Sequence, residues 1–178
     1  MRVISGKLKG RRFDLPSNKW KTRPTTDQSK ESLFNILSNK IAIEDSRVLD
    51  LFGGTGNLAY EFASRGADKV VCVEKYAPAT KFIQQQAKAF DIAEQIEVHR
   101  ADVFRFLKDH TAQYDIIFAD PPYDSPLYPK LIDLIIERQL IRSEGVLIIE
   151  HNNQHNFEKH PRFVEKRQYG QSLFSFFE

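Results

Sequence analysis

The chain has 178 residues, of which 41% are hydrophobic and 28% are charged, a balance typical of one folded globular domain. Its apolar runs fall short of the about 20 residues of a membrane helix, and its first residues lack the apolar core of a secretion signal. The single cysteine, Cys72, lies in an apolar strand and excludes an internal disulfide. We therefore expect a cytoplasmic protein. Its Cys and His spacing predicts no zinc site.

Positive charge is concentrated at the N-terminus. The first 30 residues contain nine Lys or Arg and two Asp, a net of +7, whereas the whole chain carries +2, so the other 148 residues carry −5. A basic arm on a slightly acidic domain is typical of contact with the phosphate backbone of a nucleic acid. A solvated basic tail is the alternative that charge alone leaves open. The residues assigned to this contact are Lys7, Lys9, Arg11 and Arg12.

Residues 1–16 have the pattern of two short strands around Gly6 and Gly10, which predicts a small β-hairpin. We assign residues 1–24 to a basic N-terminal extension and residues 25–178 to the main domain. A helix is predicted to begin near Thr26. The lead-in Arg23-Pro24-Thr25-Thr26 offers hydroxyls, backbone N–H groups and a cation, which either cap that helix or hold the carboxylate of a ligand.

The next segment follows the order strand, glycine-rich turn, helix. A buried strand over residues 47–52 leads into Gly53-Gly54-Thr55-Gly56, and a helix is predicted over residues 57–65. This order is the nucleotide-binding opening of a doubly wound α/β sheet. The second strand ends at Glu74, whose carboxylate can accept hydrogen bonds from both hydroxyls of a ribose. The alternative is that Glu74 is a surface carboxylate at a strand end. The glycine turn and Glu74 together do not identify which cofactor is bound.

Asp102 follows the third predicted strand, residues 96–99. At the carboxyl edge of a parallel sheet it could bind the amino group of an adenine. It could equally cap the short helix predicted over residues 103–108, and one residue can do both.

Residues 114–123, Tyr-Asp-Ile-Ile-Phe-Ala-Asp-Pro-Pro-Tyr, predict a buried parallel strand that ends in a stiff turn, because proline cannot donate to a sheet ladder. The Asp120 carboxylate and the Pro121 carbonyl could accept the two N–H groups of an exocyclic amine and favour the pyramidal geometry needed for attack. Tyr123 after Pro122 offers a face on which a base can stack. An ordinary proline-rich loop is the less favoured alternative.

The remaining chain predicts a helix from Ser125-Pro126 to about Ile141 and a buried strand over residues 145–150. A polar loop with three histidines follows over residues 151–161. Residues 162–169 and 172–177 predict an antiparallel hairpin around Gly170.

Five strand–helix units and a terminal hairpin resemble the seven-stranded S-adenosylmethionine-dependent methyltransferase fold, a doubly wound and mostly parallel α/β sheet. Asp50, the glycine turn, Glu74, Asp102 and the Asp-Pro-Pro-Tyr loop come in the order that this family uses. Several segments further resemble the bacterial methyltransferases that modify a guanine 2-amino group in 16S ribosomal RNA: residues 4–12, 23–27, 31–35, 64–67 and 169–170. In one place the chain departs from the family pattern: it has Gly53-Gly54-Thr55-Gly56 where the family often has Ala-Gly-Ser-Gly. The departure is mild, because the last glycine and a small hydroxyl residue are kept.

The resemblance implies direct transfer of a methyl group from S-adenosylmethionine to the amine, with S-adenosylhomocysteine as the product and no metal. The guanine would lie in the 16S ribosomal RNA of a small-subunit particle or assembly intermediate, and the enzyme would be a monomer. The base would be received by residues 120–123. Cofactor contacts would come from Arg23, Pro24, Thr25, Thr26, Asp50, Gly53, Gly54, Gly56, Glu74 and Asp102.

Three alternatives stay open at this point. The acceptor loop contacts only an amine and a ring face, so an adenine or cytosine amine would also suit it. Residues 54–59 fit a dinucleotide fingerprint, which would indicate an NAD-dependent oxidoreductase but leaves Asp-Pro-Pro-Tyr unexplained. A non-catalytic RNA-binding module is the third alternative, and the intact acceptor loop argues against it.

Overall fold

In a computed structural model that describes residues 1–15, 26–122 and 124–178, the chain alternates strands and helices before ending in a hairpin. The elements are α1 (Asp27–Lys40), β1 (Arg47–Leu51), α2 (Asn57–Ser64), β2 (Lys69–Glu74), α3 (Ala77–Ala89), β3 (Ile96–Arg100), α4 (Val103–Asp109), β4 (Tyr114–Ala119), α5 (Tyr128–Glu137), β5 (Ile141–His151), β6 (Phe163–Tyr169) and β7 (Ser172–Phe177).

The seven strands form one sheet in the order β3-β2-β1-β4-β5-β7-β6. Strands β1 to β5 are parallel to one another, whereas β7 pairs antiparallel with both β5 and β6. The predicted fold class is therefore confirmed, including the terminal hairpin. Because β1 to β5 run parallel, their carboxyl ends meet at one edge of the sheet, which is where open α/β sheets bind ligands.

Alternate residues of β1 pack against helices on opposite faces of the sheet. Val48 of β1 contributes to a core with α1, α2 and α3, whereas Leu49 contributes to a second core with α4 and α5. Both residues are fully buried, as expected for a parallel strand covered on both faces. Cys72 of β2 is a buried core residue, as predicted. None of the helices in the described part of the chain is long and apolar enough to cross a membrane.

The boundary between α5 and β5 differs from the prediction. The helix begins at Tyr128 and ends at Glu137, so it is shorter than the predicted span from Ser125 to about Ile141. Gln139 has a left-handed backbone, with φ of 53°, which terminates the helical run. Ile141 is then the first residue of β5 and pairs with Tyr114 of β4. The sequence has no Gly or Pro at this break, so its continuous apolar run gave no stop signal.

The N-terminal segment has less β-structure than the two short strands predicted for it. Its hairpin contains a single antiparallel bridge, between Arg2 and Arg12, flanked by the hydrogen bonds from Val3 N to Arg11 O and from Phe13 N to Met1 O. Val3 and Phe13 are buried in the same core as α1, α2 and α3. The segment therefore packs on the main domain through apolar side chains.

His151 also differs from the prediction of a solvated polar loop. It is the last residue of β5 and fully buried. Its Nε2 lies 2.7 Å from Ser175 Oγ, and burial lowers its pKa from the ordinary value.

Candidate functional site at the carboxyl edge of the sheet

The glycine turn joins β1 to α2 at the carboxyl edge, and two of its glycines are required by close packing. A Cβ atom added at Gly53 would overlap Cys72 Sγ of β2. One added at Gly56, whose φ is 77°, would lie 2.6 Å from the Tyr60 hydroxyl. Because no larger side chain fits at either position, the turn stays close against β2 and α2, with Gly56 as the N-cap of α2.

Glu74, at the end of β2, is bonded directly to the glycine turn. Its Oε2 accepts a hydrogen bond from Gly54 N at 2.9 Å, and its Oε1 accepts one from Tyr76 N at 2.7 Å. The side chain is half-buried. Since a carboxylate has about four acceptor positions, each oxygen retains capacity for another donor. The hydrogen bond between Gly54 and Glu74 was not predicted from the sequence, and the remaining acceptor capacity of the carboxylate fits the predicted contact with a ribose diol.

Asp50 lies beneath the turn and is 3% exposed. Burial, followed by the nearby Glu74 carboxylate, raises the pKa of Asp50 to about 7. A backbone hydrogen bond from Ala59 and the Cys72 thiol, whose Sγ is 3.9 Å from Asp50 Oδ2, partly oppose this shift. Asp50 therefore links β1 to α2 and β2 inside the site.

Asp102 caps α4. Its Oδ1 accepts hydrogen bonds from Phe104 N at 3.0 Å and from Arg105 N at 3.2 Å. The preceding residue, Ala101, donates its backbone N–H to Glu74 O at 3.1 Å. The capping interpretation is thus confirmed. The exposed Asp102 also lies on the segment that is hydrogen-bonded to Glu74, so the structure brings these two acids to neighbouring places on the edge.

The acceptor loop leaves β4 on the other side of the glycine turn from Glu74, because β1 lies between β2 and β4. Asp120 N donates to Leu51 O, the last residue of β1, at 3.4 Å, and the Asp120 side chain is half-buried. Pro121 is buried and Pro122 is exposed. The predicted base-stacking residue, Tyr123, lies outside the described residues.

The lead-in to α1 is described only at its end. Thr26 is the N-cap of α1, and its Oγ1 accepts a hydrogen bond from Ser29 N at 3.1 Å. The proposed contacts of Arg23, Pro24 and Thr25 with a ligand fall outside the described residues.

The four basic residues of the arm are all exposed. Lys7 Nζ donates to Gln95 Oε1 at 2.5 Å, and the Arg11 guanidinium lies 6.0 Å from the centre of the Phe90 ring. These contacts place Lys7 beside the entry to β3 and Arg11 beside the end of α3. Within residues 1–15, 26–122 and 124–178, no group of three or more His, Cys, Asp and Glu is placed to hold a metal ion.

A buried ion pair fastens the arm to the domain, and the sequence analysis did not identify it. Lys30 and Glu61 are both fully buried, with 3.2 Å between Lys30 Nζ and Glu61 Oε2. Glu61 also accepts hydrogen bonds from the backbone N–H groups of Ile4 and Ser5, while Lys30 Nζ donates to Arg2 O and to Asn57 Oδ1. Burial lowers the pKa of Lys30, and Glu61 opposes that shift.

A sequence signal for this pair exists. Lys30 stands on the same helical face as Leu33, Phe34 and Leu37, and Glu61 interrupts the apolar helix between Tyr60 and Phe62. A charged residue on an apolar face is a candidate for a buried partner.

Asn57, which receives the Lys30 hydrogen bond, directly follows Gly56, and Thr55 Oγ1 donates to Met1 Sδ at 3.6 Å. The first residue of the N-terminal segment, Met1, is therefore in contact with the glycine turn.

The sheet order, the reversed last strand and the site at the carboxyl edge define the class I methyltransferase fold. The solved structure of the Escherichia coli protein yhhF, which carries the name of a methyltransferase, matches with a TM-score of 0.85 at 25% identity, over 99% of this chain and 96% of that chain.

Several relatives are named ribosomal RNA small subunit methyltransferase D. The one from Buchnera aphidicola subsp. Baizongia pistaciae is 35% identical over 88% of this chain and 78% of its own length. The one from Haemophilus influenzae is 32% identical over 84% of this chain and 78% of its own length. Residues 1–178 match the family described as conserved hypothetical protein 95, and the chain belongs to that family. The resemblance to a bacterial ribosomal RNA methyltransferase family is confirmed.

Proposed function

We propose that this protein transfers the methyl group of S-adenosylmethionine to the exocyclic 2-amino group of a guanine in 16S ribosomal RNA. The observation that carries the proposal is the order of groups along the sheet edge. Glu74 is hydrogen-bonded to one side of the glycine turn, and the Asp120 backbone is hydrogen-bonded to the end of β1 on the other side. A cofactor site and an amine-accepting loop would thus lie next to each other, and the names of the relatives favour a ribosomal RNA substrate.

The residues of the edge have distinct roles in this proposal. Glu74 would accept the ribose hydroxyls, Asp102 the adenine amine, and the segment Arg23-Pro24-Thr25-Thr26 would border the methionine end. Asp50, Gly53, Gly54 and Gly56 would shape the turn. The cofactor supplies an electrophilic methyl group on a sulfonium.

Asp120 and the Pro121 carbonyl would accept the two N–H groups of the guanine amine and hold its nitrogen in line with that methyl group. The cofactor would supply the methyl group that becomes bonded to the amine nitrogen, and it would leave as S-adenosylhomocysteine once its sulfur–carbon bond is broken. The Asp120 carboxylate would accept the proton that the amine releases. Catalysis then comes from positioning and from electrostatic stabilisation of the positive charge that develops on the amine. The guanine must leave any base stack to reach the loop.

The exposed residues Lys7, Lys9, Arg11 and Arg12 would contact RNA phosphates. We infer that residues 1–24 act as an RNA-binding extension and residues 25–178 as the methyltransferase domain. The protein would act as a monomer on a small-subunit particle or an assembly intermediate.

The test has two stages. Purified protein is first mixed with labelled S-adenosylmethionine or labelled NAD, and binding of NAD alone would refute the methyltransferase proposal in favour of an oxidoreductase. Methylated nucleotides are then mapped in ribosomal RNA from cells with and without this gene. Loss of one 2-methylguanine supports the proposal. Loss of a methylated adenine or cytosine amine would overturn the guanine assignment, and an unchanged map would overturn the ribosomal RNA substrate.

A further inference from the structure

The acceptor loop contains two consecutive prolines, which offer no backbone N–H group with which the sheet could hold them. The backbone of these two prolines can therefore be held only through their carbonyl groups. Both proline carbonyls are engaged by residues that follow in the chain. Pro122 O accepts a hydrogen bond from Ser125 N at 2.8 Å, and Pro121 O accepts one from the Tyr128 hydroxyl at 3.1 Å.

Tyr128 is well placed to hold the loop firmly. It is the first residue of α5 and fully buried. The same hydroxyl lies 3.3 Å from Glu150 O, near the end of β5. Its ring centre is 4.2 Å from that of His155 and 5.8 Å from that of Phe157. The side chain thus joins the loop after β4 to the end of the neighbouring strand, and the segment after β5 packs against its ring.

We propose that Tyr128 is a positioning residue for methyl transfer, which acts by fixing the direction of the Pro121 carbonyl. The inference rests on the proposed function, in which that carbonyl accepts one N–H of the target amine. A carbonyl oxygen has two acceptor positions, so a bond from Tyr128 leaves one position for the substrate. The Tyr128 hydroxyl does not touch the amine itself. Its effect is to limit the orientations that the proline-rich loop can adopt.

This role predicts a rate effect without an affinity effect. Displacement of a reacting group by about 1 Å can lower a rate by about 100-fold, because the reacting atoms no longer align. The Pro121 carbonyl would contribute to alignment of one N–H, while RNA affinity would come mainly from the basic arm and cofactor affinity from the glycine turn and Glu74. Loss of the hydroxyl should therefore lower the rate of the chemical step and leave both dissociation constants nearly unchanged.

The experiment compares Tyr128→Phe with the matched control Tyr114→Phe. Tyr114 is also fully buried, but it is the first residue of β4, and its hydroxyl is bonded to His110 at 2.7 Å, away from the carboxyl edge. Single-turnover methylation is measured with methyl-labelled S-adenosylmethionine and small ribosomal subunits from cells that lack this gene. We expect Tyr128→Phe to lower the rate about 10- to 100-fold, with dissociation constants for S-adenosylhomocysteine and subunits within about 2-fold, and Tyr114→Phe to keep the wild-type rate.

Two further variants make the result decisive. Incorporation of para-aminophenylalanine at position 128 retains the ring and a donor, so it should restore most of the rate if the hydrogen bond is what matters. Asp120→Ala tests the proposed function by itself. A slow Asp120→Ala together with a wild-type Tyr128→Phe would overturn the positioning role alone, whereas a wild-type Asp120→Ala would refute the acceptor loop. A Tyr128→Phe rate that falls only in proportion to the folded fraction, measured by circular dichroism, would also overturn the positioning role.

Discussion

Glu74 Oε2 accepts a hydrogen bond from the backbone amide of Gly54, so the acid at the end of β2 is joined to the turn that begins α2. This bond and the one to Tyr76 N hold the carboxylate at the sheet edge while leaving it acceptor capacity. Glu74 therefore fixes the position of the glycine turn, and its carboxylate oxygens can still accept hydrogen bonds from a ligand.

Replacement of Glu74 with Ala should weaken S-adenosylmethionine binding by about 1.5–3 kcal/mol, the range for removal of a hydrogen bond to a charged group. Titration calorimetry measures the change. Glu97→Ala is the control, because Glu97 is an exposed acid on β3 that pairs with His99 and Lys69. An unchanged affinity in Glu74→Ala would refute the ribose assignment.

Asp120→Ala should lower the methyl-transfer rate about 100- to 1,000-fold while cofactor and RNA affinities stay near wild type, by analogy with the loss of one preorganised oxyanion-site donor. Asp120→Asn should be milder, since an amide oxygen still accepts a hydrogen bond. Single-turnover methylation at saturating cofactor and RNA measures the rate, and a melting curve monitors folding. If Asp120 only held the turn before Pro121, activity would instead fall in parallel with the folded fraction.

Asp50 should make folding stability depend on pH. Its folded pKa of about 7 lies above the ordinary value of about 3.9, so between these values the folded state holds a proton that the unfolded state has lost. The stabilisation is fully present below about pH 4 and is lost as the pH rises through 7, with a slope of at most about 1.4 kcal/mol per pH unit. Urea denaturation from pH 5 to 7 measures the slope, which should be more negative in the wild type than in Asp50→Asn, where the titration of the other groups remains. The same slope in both proteins would show that Asp50 is not the titrating group.

The arm should bind RNA through charge. Neutralising Lys7, Lys9, Arg11 and Arg12 together should flatten the plot of log affinity against log salt concentration by about 0.7–0.9 for each phosphate that the arm no longer binds. Cofactor affinity should be unchanged, because these side chains are exposed and the ion pair that fastens the arm is intact. Neutralising Lys166 and Arg167 on the edge strand β6 is the control. A salt slope that matches wild type in the arm variant would identify the arm as a solvated tail.

The buried pair of Lys30 and Glu61 should be a major determinant of stability. Lys30→Met removes one of the two cations that pair with the buried Glu61, since Arg65 Nε stays 2.8 Å from Glu61 Oε1, and it also removes the donor to Arg2 O and Asn57 Oδ1. The loss should cost about 1–3 kcal/mol of unfolding free energy in chemical denaturation. Lys40→Met, which breaks the more accessible pair with Glu165, should cost at most about 1 kcal/mol. Equal losses for Lys30→Met and Lys40→Met would contradict this role.

Much of the architecture was predictable because local patterns and global packing agree. The apolar runs of β1, β2 and β4, the glycine turn and the alternation of strand and helix each indicate a parallel sheet with two covered faces. The Thr26 and Asp102 caps were visible as side chains that accept hydrogen bonds at helix starts. The end of α5 was not predictable, because Gln139 adopts its left-handed conformation within an apolar run that lacks a Gly or Pro signal.

The sequence by itself determined the fold class and the order of the edge residues, since these depend on residue type and spacing along the chain. Only the tertiary structure decided which distant groups meet. The Lys30 bond to Asn57, the Glu61 bonds to Ile4 and Ser5, and the Tyr128 bond to Pro121 depend on how helices pack against loops. The same lysine or tyrosine on another face would be a solvated side chain, because hydrogen bonding and burial depend on distances in space.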